Sequence, residues 1–419
     1  NTKDLTDFGS LENKRVTEGE VSFALCRPDG TVYSGYLAAD EAPEEPEAGS
    51  LWLDTGGDET ALRQYGEDGW TAVDDVCVRM NAAGIGIGFT AGDGVAVSGC
   101  RETALNGSFP LRSVEDDYVV VTALPRSLSS QSDPVTVERS VPDMDYVVES
   151  GNRLWGCKYG IVNGQAVNAI YASKLGDFKN WNCYAGLSTD SYAASRGSDG
   201  AFTGAADYLG NPLFFKENCM ERVYPSASGA HQIVTVQCAG VKSGSSGSLR
   251  VVDGKLYYHS QGGVCVFDGS MPVHISQALG EMRYHNAVAG ALDGSYYLSA
   301  ADENDAWHLL VLDTRQGLWY REDGVEAVGF APWGGDLYCL TAAGRLLAMK
   351  GSGENREGPV QWLAETGELG LDAPESRYLV RLSLRLLPEA DSTVRAWVSY
   401  DEGGSWQPAG SLCGVGRLR

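Results

Sequence analysis

The sequence predicts an all-β chain folded as a β-propeller, with a small β domain inserted near its N-terminal end. Three observations carry that prediction. A glycine turn followed by a short aromatic and aliphatic run recurs at Gly151-Asn-Arg-Leu-Trp, Gly210-Asn-Pro-Leu-Phe, Gly254-Lys-Leu-Tyr-Tyr, Gly294-Ser-Tyr-Tyr-Leu and Gly335-Asp-Leu-Tyr-Cys. Successive glycines of this unit stand 59, 44, 40 and 41 residues apart, and the last three spacings match the ~40–45 residues of one four-stranded blade. Glycine supplies 53 of the 419 residues, well above the usual share of about 7%, as a turn-dense chain requires. Nowhere does a long stretch combine i, i+3, i+4, i+7 apolar spacing with a capping box, so helices are not expected.

In chain order, Val21-Ser-Phe-Ala-Leu-Cys26 reads as a first strand, expected to share a blade with Tyr146-Val-Val148. Asp40-Glu-Ala-Pro-Glu-Glu-Pro-Glu47 is an acidic, proline-rich run that cannot pair in the middle of a sheet, and it marks a boundary. Ser50-Leu-Trp-Leu-Asp-Thr55, Trp70-Thr-Ala-Val73, Val95-Ala-Val-Ser98 and Tyr118-Val-Val-Val-Thr122 alternate like strands, and the polar stretch Ser127-Leu-Ser-Ser-Gln-Ser-Asp-Pro134 closes the region. Residues 44–133 are therefore expected to form the inserted domain, separable from the rest. Residues 1–43 then begin the propeller and 134–419 supply its remaining blades. Val264-Cys-Val-Phe-Asp-Gly269 and Leu309-Leu-Val-Leu-Asp-Thr314 are second strands ending in turns that close hairpins. Six blades fit the period best, and five or seven are accommodated. Ring closure is expected to draw the strand near Val21 against later elements, because a closed ring protects its edges.

Charge and composition narrow the function. The formal net charge is −24, from 56 acidic and 32 basic residues, so the chain is repelled by phosphate backbones and non-specific nucleic-acid binding is not expected. The longest run without a charged residue, 223–241, contains Pro225, His231, Gln232 and Gln237 and cannot supply the ~20 apolar residues of a membrane span. The chain begins without an initiator Met or signal-peptide features and ends abruptly at Gly-Val-Gly-Arg-Leu-Arg, so it reads as a fragment or processed product lacking residues at both ends. Ten cysteines lie far apart with no C-x-x-C, mostly inside apolar strand-like runs. They read as reduced, buried thiols formed in a reducing cytosol rather than as a disulfide framework or zinc site.

Ser399-Tyr-Asp401-Glu-Gly403-Gly-Ser405-Trp406 fits the pattern S-x-D-x-G-x-[ST]-W of an Asp box. In such a turn Asp401 accepts backbone N–H bonds, Gly403 takes positive φ and Trp406 packs beneath the hairpin. The motif resembles a fold signature of sialidases and related propellers, where it lies away from the catalytic centre. Ser399, Asp401, Gly403, Ser405 and Trp406 are accordingly structural candidates, and a single box without an arginine cluster argues against a sialidase. Gly84-Ile-Gly86-Ile-Gly88-Phe89 misses the dinucleotide fingerprint because Phe89 stands where its last glycine belongs, so it reads as a turn. Asp302-Glu-Asn304-Asp305 starts like a calcium loop but lacks the turn glycine and the closing glutamate, so it reads as a hairpin tip. His231, His259, His274, His285 and His308 form no H-x-x-x-H pair, and G-x-S-x-G is absent. No catalytic, cofactor-binding or metal-binding residue is assigned. Trp155, Trp181, Trp319 and Trp333 fall at strand positions, where they pack blades or offer a sugar-stacking platform.

Leu51-Trp-Leu-Asp-Thr55 with Gln64-Tyr65, and Ala83-Gly-Ile-Gly-Ile-Gly-Phe-Thr-Ala-Gly-Asp-Gly-Val-Ala-Val-Ser-Gly99, resemble the inserted β module of a group of tailed-phage and prophage virion proteins. Gly151-Asn-Arg-Leu-Trp-Gly156, Ile170-Tyr-Ala-Ser-Lys-Leu-Gly-Asp-Phe-Lys-Asn-Trp-Asn182, Gly197-Ser-Asp-Gly200 and Pro212-Leu-Phe-Phe-Lys-Glu-Asn218 resemble their propeller blades. More distantly, the blades are similar to the propeller subunits that form the tail hub or nozzle of short-tailed phages, below the portal. The resemblance implies a non-enzymatic virion structural protein of the tail or head-to-tail connection, of hub, nozzle or adaptor type, assembled in the bacterial cytoplasm. It implies portal, adaptor or tail proteins as partners and a ring homo-oligomer in the virion, with no cofactor, no membrane and no specific nucleic-acid binding. One alternative is a carbohydrate-binding or host-attachment propeller with a glycan partner, which exposed aromatics along one rim would favour. The other is a glycoside hydrolase, which would need facing carboxylates about 5–9.5 Å apart.

Overall fold

The computed structural model describes residues 14–280, 283–322, 324–349, 361–367, 392–400 and 404–413. The chain divides into two compact units, residues 1–352 and 353–419. Among the described residues all regular structure is β, apart from three single-turn 3-10 segments.

The first unit opens with a β domain of eleven strands: β1 (Lys14–Val16), β2 (Ser22–Cys26), β3 (Tyr36–Ala39), β4 (Leu51–Asp54), β5 (Ala61–Gly66), β6 (Gly69–Ala72), β7 (Cys77–Asn81), β8 (Gly94–Ser98), β9 (Gly107–Glu115), β10 (Tyr118–Val121) and β11 (Thr136–Arg139). Seven of them form one sheet in the order β1-β11-β8-β9-β10-β7-β2, and β3 to β6 form a second. Period-two alternation turns Leu25, Val78, Met80, Val95, Val97, Val119 and Val137 into a shared core, which Leu53 and Leu62 of the second sheet join.

This arrangement corrects the expected boundaries. The strand at Val21–Cys26 does not share a blade with Tyr146–Val148: β2 pairs with β7, from Ser22 opposite Asn81 to Cys26 opposite Cys77, and Val21 bridges Gln131. Likewise β1 pairs with β11, Lys14 opposite Glu138. Burial explains the choice. Val21 and Leu25 are completely buried in the core that residues 76–137 line, so moving them to a blade would uncover both side chains and open this sheet. Residues 14–139 are thus one contiguous domain rather than a propeller start followed by an insert at 44–133, and the strand near Val21 serves this domain instead of closing a ring. The actual insertion is smaller, the β3 to β6 sheet between β2 and β7.

Five antiparallel sheets follow, each ordered along the chain. The first holds β12 (Tyr146–Ser150), β13 (Arg153–Val162), β14 (Gln165–Ala172) and β15 (Tyr192–Ser195), and the second β16 (Gly204–Tyr208), β17 (Asn211–Phe215), β18 (Cys219–Tyr224) and β19 (Gln232–Gln237). The third holds β20 (Arg250–Val252), β21 (Lys255–Ser260), β22 (Gly263–Phe267) and β23 (Val273–His274). The fourth holds β24 (His285–Leu292), β25 (Ser295–Ala301), β26 (Trp307–Asp313) and β27 (Leu318–Arg321), and the fifth β28 (Ala327–Trp333), β29 (Asp336–Thr341) and β30 (Leu346–Ala348). The repeated glycine joins the first two strands of every sheet. Both central residues of all five turns have positive φ: Gly151 and Asn152 at 59° and 59°, Leu209 and Gly210 at 53° and 74°, Asp253 and Gly254 at 46° and 78°, Asp293 and Gly294 at 50° and 80°, Gly334 and Gly335 at 59° and 81°. That is the type I′ signature, whose twist matches the flanking strands.

Side chains of consecutive sheets interlock as blades do. Trp155, Cys157 and Ile170 meet Phe214 and Val223; Leu213, Phe215 and Met220 meet Leu256, Tyr258 and Phe267. Tyr257 and Val264 meet Tyr296, Leu298 and Leu310, and Tyr297, Leu309 and Val311 meet Leu337. The leading strands lie side by side, β12 with β16, β20 with β24 and β24 with β28, which puts them innermost. The architecture is a β-propeller, with five blades in the described part of this unit. The second unit contributes a hairpin, β31 (Thr393–Val398) and β32 (Gln407–Cys413), with Thr393 opposite Cys413.

Candidate functional site

One link breaks the regularity of the blades. The loop between the third and fourth strands of the first blade, residues 173–191, has 19 residues, whereas its counterparts in the next three blades have seven, five and four. A loop this long without regular structure usually carries function. Its inner side is fastened to the N-terminal domain and its outer side is apolar.

The fastening starts from two charges placed on core-facing positions. Asp93 leads into β8 in step with the buried Val95 and Val97, and Arg139 ends β11 in step with the buried Val135 and Val137. The Arg139 guanidinium donates to Asp93 Oδ2 from Nη2 at 2.6 Å and from Nε at 3.2 Å, while Thr90 donates to the same carboxylate from N and Oγ1, both at 2.9 Å. The remaining share of that carboxylate is taken by the loop, since Asn180 Nδ2 donates to Asp93 Oδ1. Arg139, Asp93 and Asn180 are 4%, 0% and 1% exposed, so the network is fully desolvated. Arg139 also donates to the Gly88 carbonyl at 2.9 Å and lies over the Phe89 ring. Beside it, Asn182 donates to the Ser140 carbonyl. Backbone and loop approach so closely here that a Cβ on Gly94 would stand 2.5 Å from the Asn182 carbonyl oxygen, which only glycine avoids.

The loop is also tied from below. Arg153, buried at the first blade's turn, donates to the carbonyls of Ser173 at 2.7 Å, Asp190 at 2.6 Å and Ser188 at 3.0 Å. Burial holds its guanidinium pKa below the usual arginine value, and the nearby Asp190 charge partly offsets this. Asp190 Oδ2 accepts from the backbone of Gly186 at 2.7 Å and Leu187 at 2.9 Å, and Ser191 Oγ donates to the Asn180 carbonyl at 3.1 Å. Against this polar interior, Leu175, Phe178, Tyr184 and Leu187 stand 44%, 48%, 58% and 64% exposed. Four large apolar side chains are thus left to solvent on one segment whose polar groups are internally bonded.

Among the described residues, the histidine, cysteine and aspartate clusters noted in the sequence are held in structural contacts. His259 Nδ1 lies 3.2 Å from Ser245 Oγ, but both residues are buried, and Ser245 Oγ accepts from the Ala287 amide. Burial, with Lys242 and His285 adding to it, pushes the His259 pKa down to about 4. Cys265 Sγ is 3.4 Å from His274 Nδ1, yet its thiol is fully buried and its pKa is raised by that burial. Asp302 accepts from the amides of Asn304 and Ala306 and from His308 Nε2 at 2.8 Å, which makes its segment a hairpin tip. Gly84–Gly88 is a run of turns whose Gly84 amide donates to Asp117. Of the Asp box residues, Asp401 and Gly403 lie outside the described residues, and the position joins the two strands of the β31–β32 hairpin. Ser405 is exposed there, and Trp406 is 53% exposed rather than packed beneath the strands. Asp93, Arg139, Arg153 and Asn180 were not singled out from the sequence, although the alternating valines of β8 and β11 place Asp93 and Arg139 at inward positions.

No family model and no curated protein sequence matches the chain. Among solved structures, a puromycin hydrolase mutant complexed with PGG aligns over 72% of this chain and 48% of its own, at 11% identity and a TM-score of 0.28. BamB from Moraxella catarrhalis aligns over 80% of this chain and 92% of its own, at 10% identity and a TM-score of 0.25. The endosialidase of phage phi92 aligns over 82% of this chain and 70% of its own, at 8% identity and a TM-score of 0.24. The chain thus spans about half the length of the puromycin hydrolase. At these scores none of the three assigns an activity.

Proposed function

We propose that this chain is a structural component of a tailed-phage virion, at the tail or the head-to-tail connection, acting by docking to other virion proteins and not by turnover. The observation that carries the reading is the 173–191 loop. Docking a mobile loop costs about 0.5–1.5 kcal/mol for each side chain it immobilises. Here the buried Asp93, Arg139, Arg153 and Asn180 hold the segment already, so Leu175, Phe178, Tyr184 and Leu187 meet a partner pre-ordered. The phage-like residues at 51–99 and 151–218 support the virion class, and portal, adaptor or tail proteins are the partners it implies. The same reading places the chain in assembled particles, in a ring of copies. It is tested by supplying Phe178→Ser/Leu187→Ser to a producer strain lacking the wild-type chain. Incorporation into particles should fall at least about tenfold, the equivalent of ~1.4 kcal/mol of lost contact. The soluble variant should melt within ~2 °C of wild type, since both side chains are exposed. Full incorporation of the variant would overturn the assignment of this loop.

A further inference from the structure

Among the described residues, the last strand of each blade has no partner on its outer edge, and one of these edges differs from the others. β19 pairs with β18 along its whole length, from Cys219 opposite Gln237 to Tyr224 opposite Gln232, and no other described strand pairs with it. It has six residues, against four in β15 and β27, three in β30 and two in β23. Natural sheets blunt open edges by keeping them short or by placing lysine, proline or a bulge on them. β19 reads Gln-Ile-Val-Thr-Val-Gln, keeps a continuous register, and lies inside the longest charge-free run of the chain, 223–241. Its flanks, from Pro225 to His231 and from Cys238 to Val241, add no charge.

That neutrality identifies the occupant. Two copies that each carry a net charge of −24 repel wherever their acidic surfaces face one another. The edge strand carries no charge of its own, and the charges beside it on β18, Glu221 opposite Thr235 and Arg222 opposite Val234, are of opposite sign, with Glu221 paired to Arg196, so two backbones meet here without that repulsion. We propose that β19 is a self-association edge at which a second copy of this chain adds its own β19 antiparallel, so that the second blades of the two copies continue as one sheet. Centred on Thr235, the pairing sets Thr235 opposite Thr235 and Val234 opposite Val236, β-branched pairs that suit cross-strand neighbours. The contact is isologous and closes at two copies. One strand pair is a small interface, so association is weak and dependent on concentration.

The test is sedimentation of the intact chain from about 1 to about 100 µM, a range that brackets a micromolar dissociation constant, with hydrogen exchange recorded at both ends. Wild type should shift from monomer to dimer, and the amides of residues 232–237 should gain protection as it does. Val234→Lys should weaken the dimer at least about tenfold, because the two-fold axis brings the new charges together. Should Val234→Lys lower the melting temperature, the wild-type gain of amide protection at residues 232–237 between the two concentrations decides instead. A wild-type chain that stays monomeric at the top concentration or gains no protection there, or a folded Val234→Lys variant that dimerises like wild type, would overturn the proposal. Neither result bears on the 173–191 loop.

Discussion

Replacing Asp93 by alanine should uncouple the loop from the N-terminal domain at a cost that the geometry sets. The side chain is fully buried and accepts five hydrogen bonds, two from Arg139, two from Thr90 and one from Asn180. An ordinary hydrogen bond contributes about 1 kcal/mol net, but removing one member of a buried ion pair leaves the other charge desolvated and costs about 3–5 kcal/mol. Arg139, 4% exposed, keeps the Gly88 carbonyl, the Phe89 ring and the Asp177 carboxylate, whose nearest oxygen is 3.9 Å from Nη2. The expected loss for Asp93→Ala is therefore about 3–5 kcal/mol, read as a lower urea midpoint followed by tryptophan fluorescence. Hydrogen exchange at Gly186 and Leu187 should speed up together, since their amides depend on the fastened loop. The double replacement Asp93→Leu/Arg139→Met removes both charges and should return to within about 1–2 kcal/mol of wild type. An Asp93→Ala loss below about 1 kcal/mol, or a double variant no better than the single one, would refute the argument from burial.

Leu209 holds φ at 53° on an exposed turn whose four counterparts use Gly, Asn or Asp, so Leu209→Asn should raise stability by about 0.5–1 kcal/mol in a thermal melt; an unchanged or lower melting point contradicts the strain. His259 favours its neutral form, with a folded pKa of about 4 against an unfolded value near 6.5. Its contribution is whole above pH 6.5 and fades as the pH falls towards 4, by roughly 3 kcal/mol in all. A ring that titrates near pH 6.5 by NMR would contradict this. Deleting residues 44–133 removes β4 to β10 and leaves β1, β2 and β11 without their sheet, so the product should aggregate instead of melting cooperatively. A soluble, cooperative deletion variant would show that the N-terminal strands need no such partners.

The blades were legible because their signal is local: a glycine-bearing turn and two hairpin strands lie within one short window and recur about every forty residues. The five type I′ turns are that signal in three dimensions. The domain boundary was not legible, since alternation in Val21–Cys26 says which side chains point inward but not that the partner strand begins at Cys77, some fifty residues on. The acidic run at Asp40–Glu47 was correctly a break, yet what it interrupts is the β3–β4 crossover inside the N-terminal domain. The buried Asp93 and Arg139 could have been noticed as charges at core-facing positions. Asn180, the link that brings the loop to them, had no local signal, because loop residues owe their positions to contacts far away in sequence.

Quantitative mass spectrometry of purified particles from a producer strain tests the central claim most directly. The account predicts a fixed number of copies of this chain per particle, retained through a high-salt wash because apolar contacts are not screened by ions. Its absence from washed particles while it accumulates in the same lysate would contradict the account.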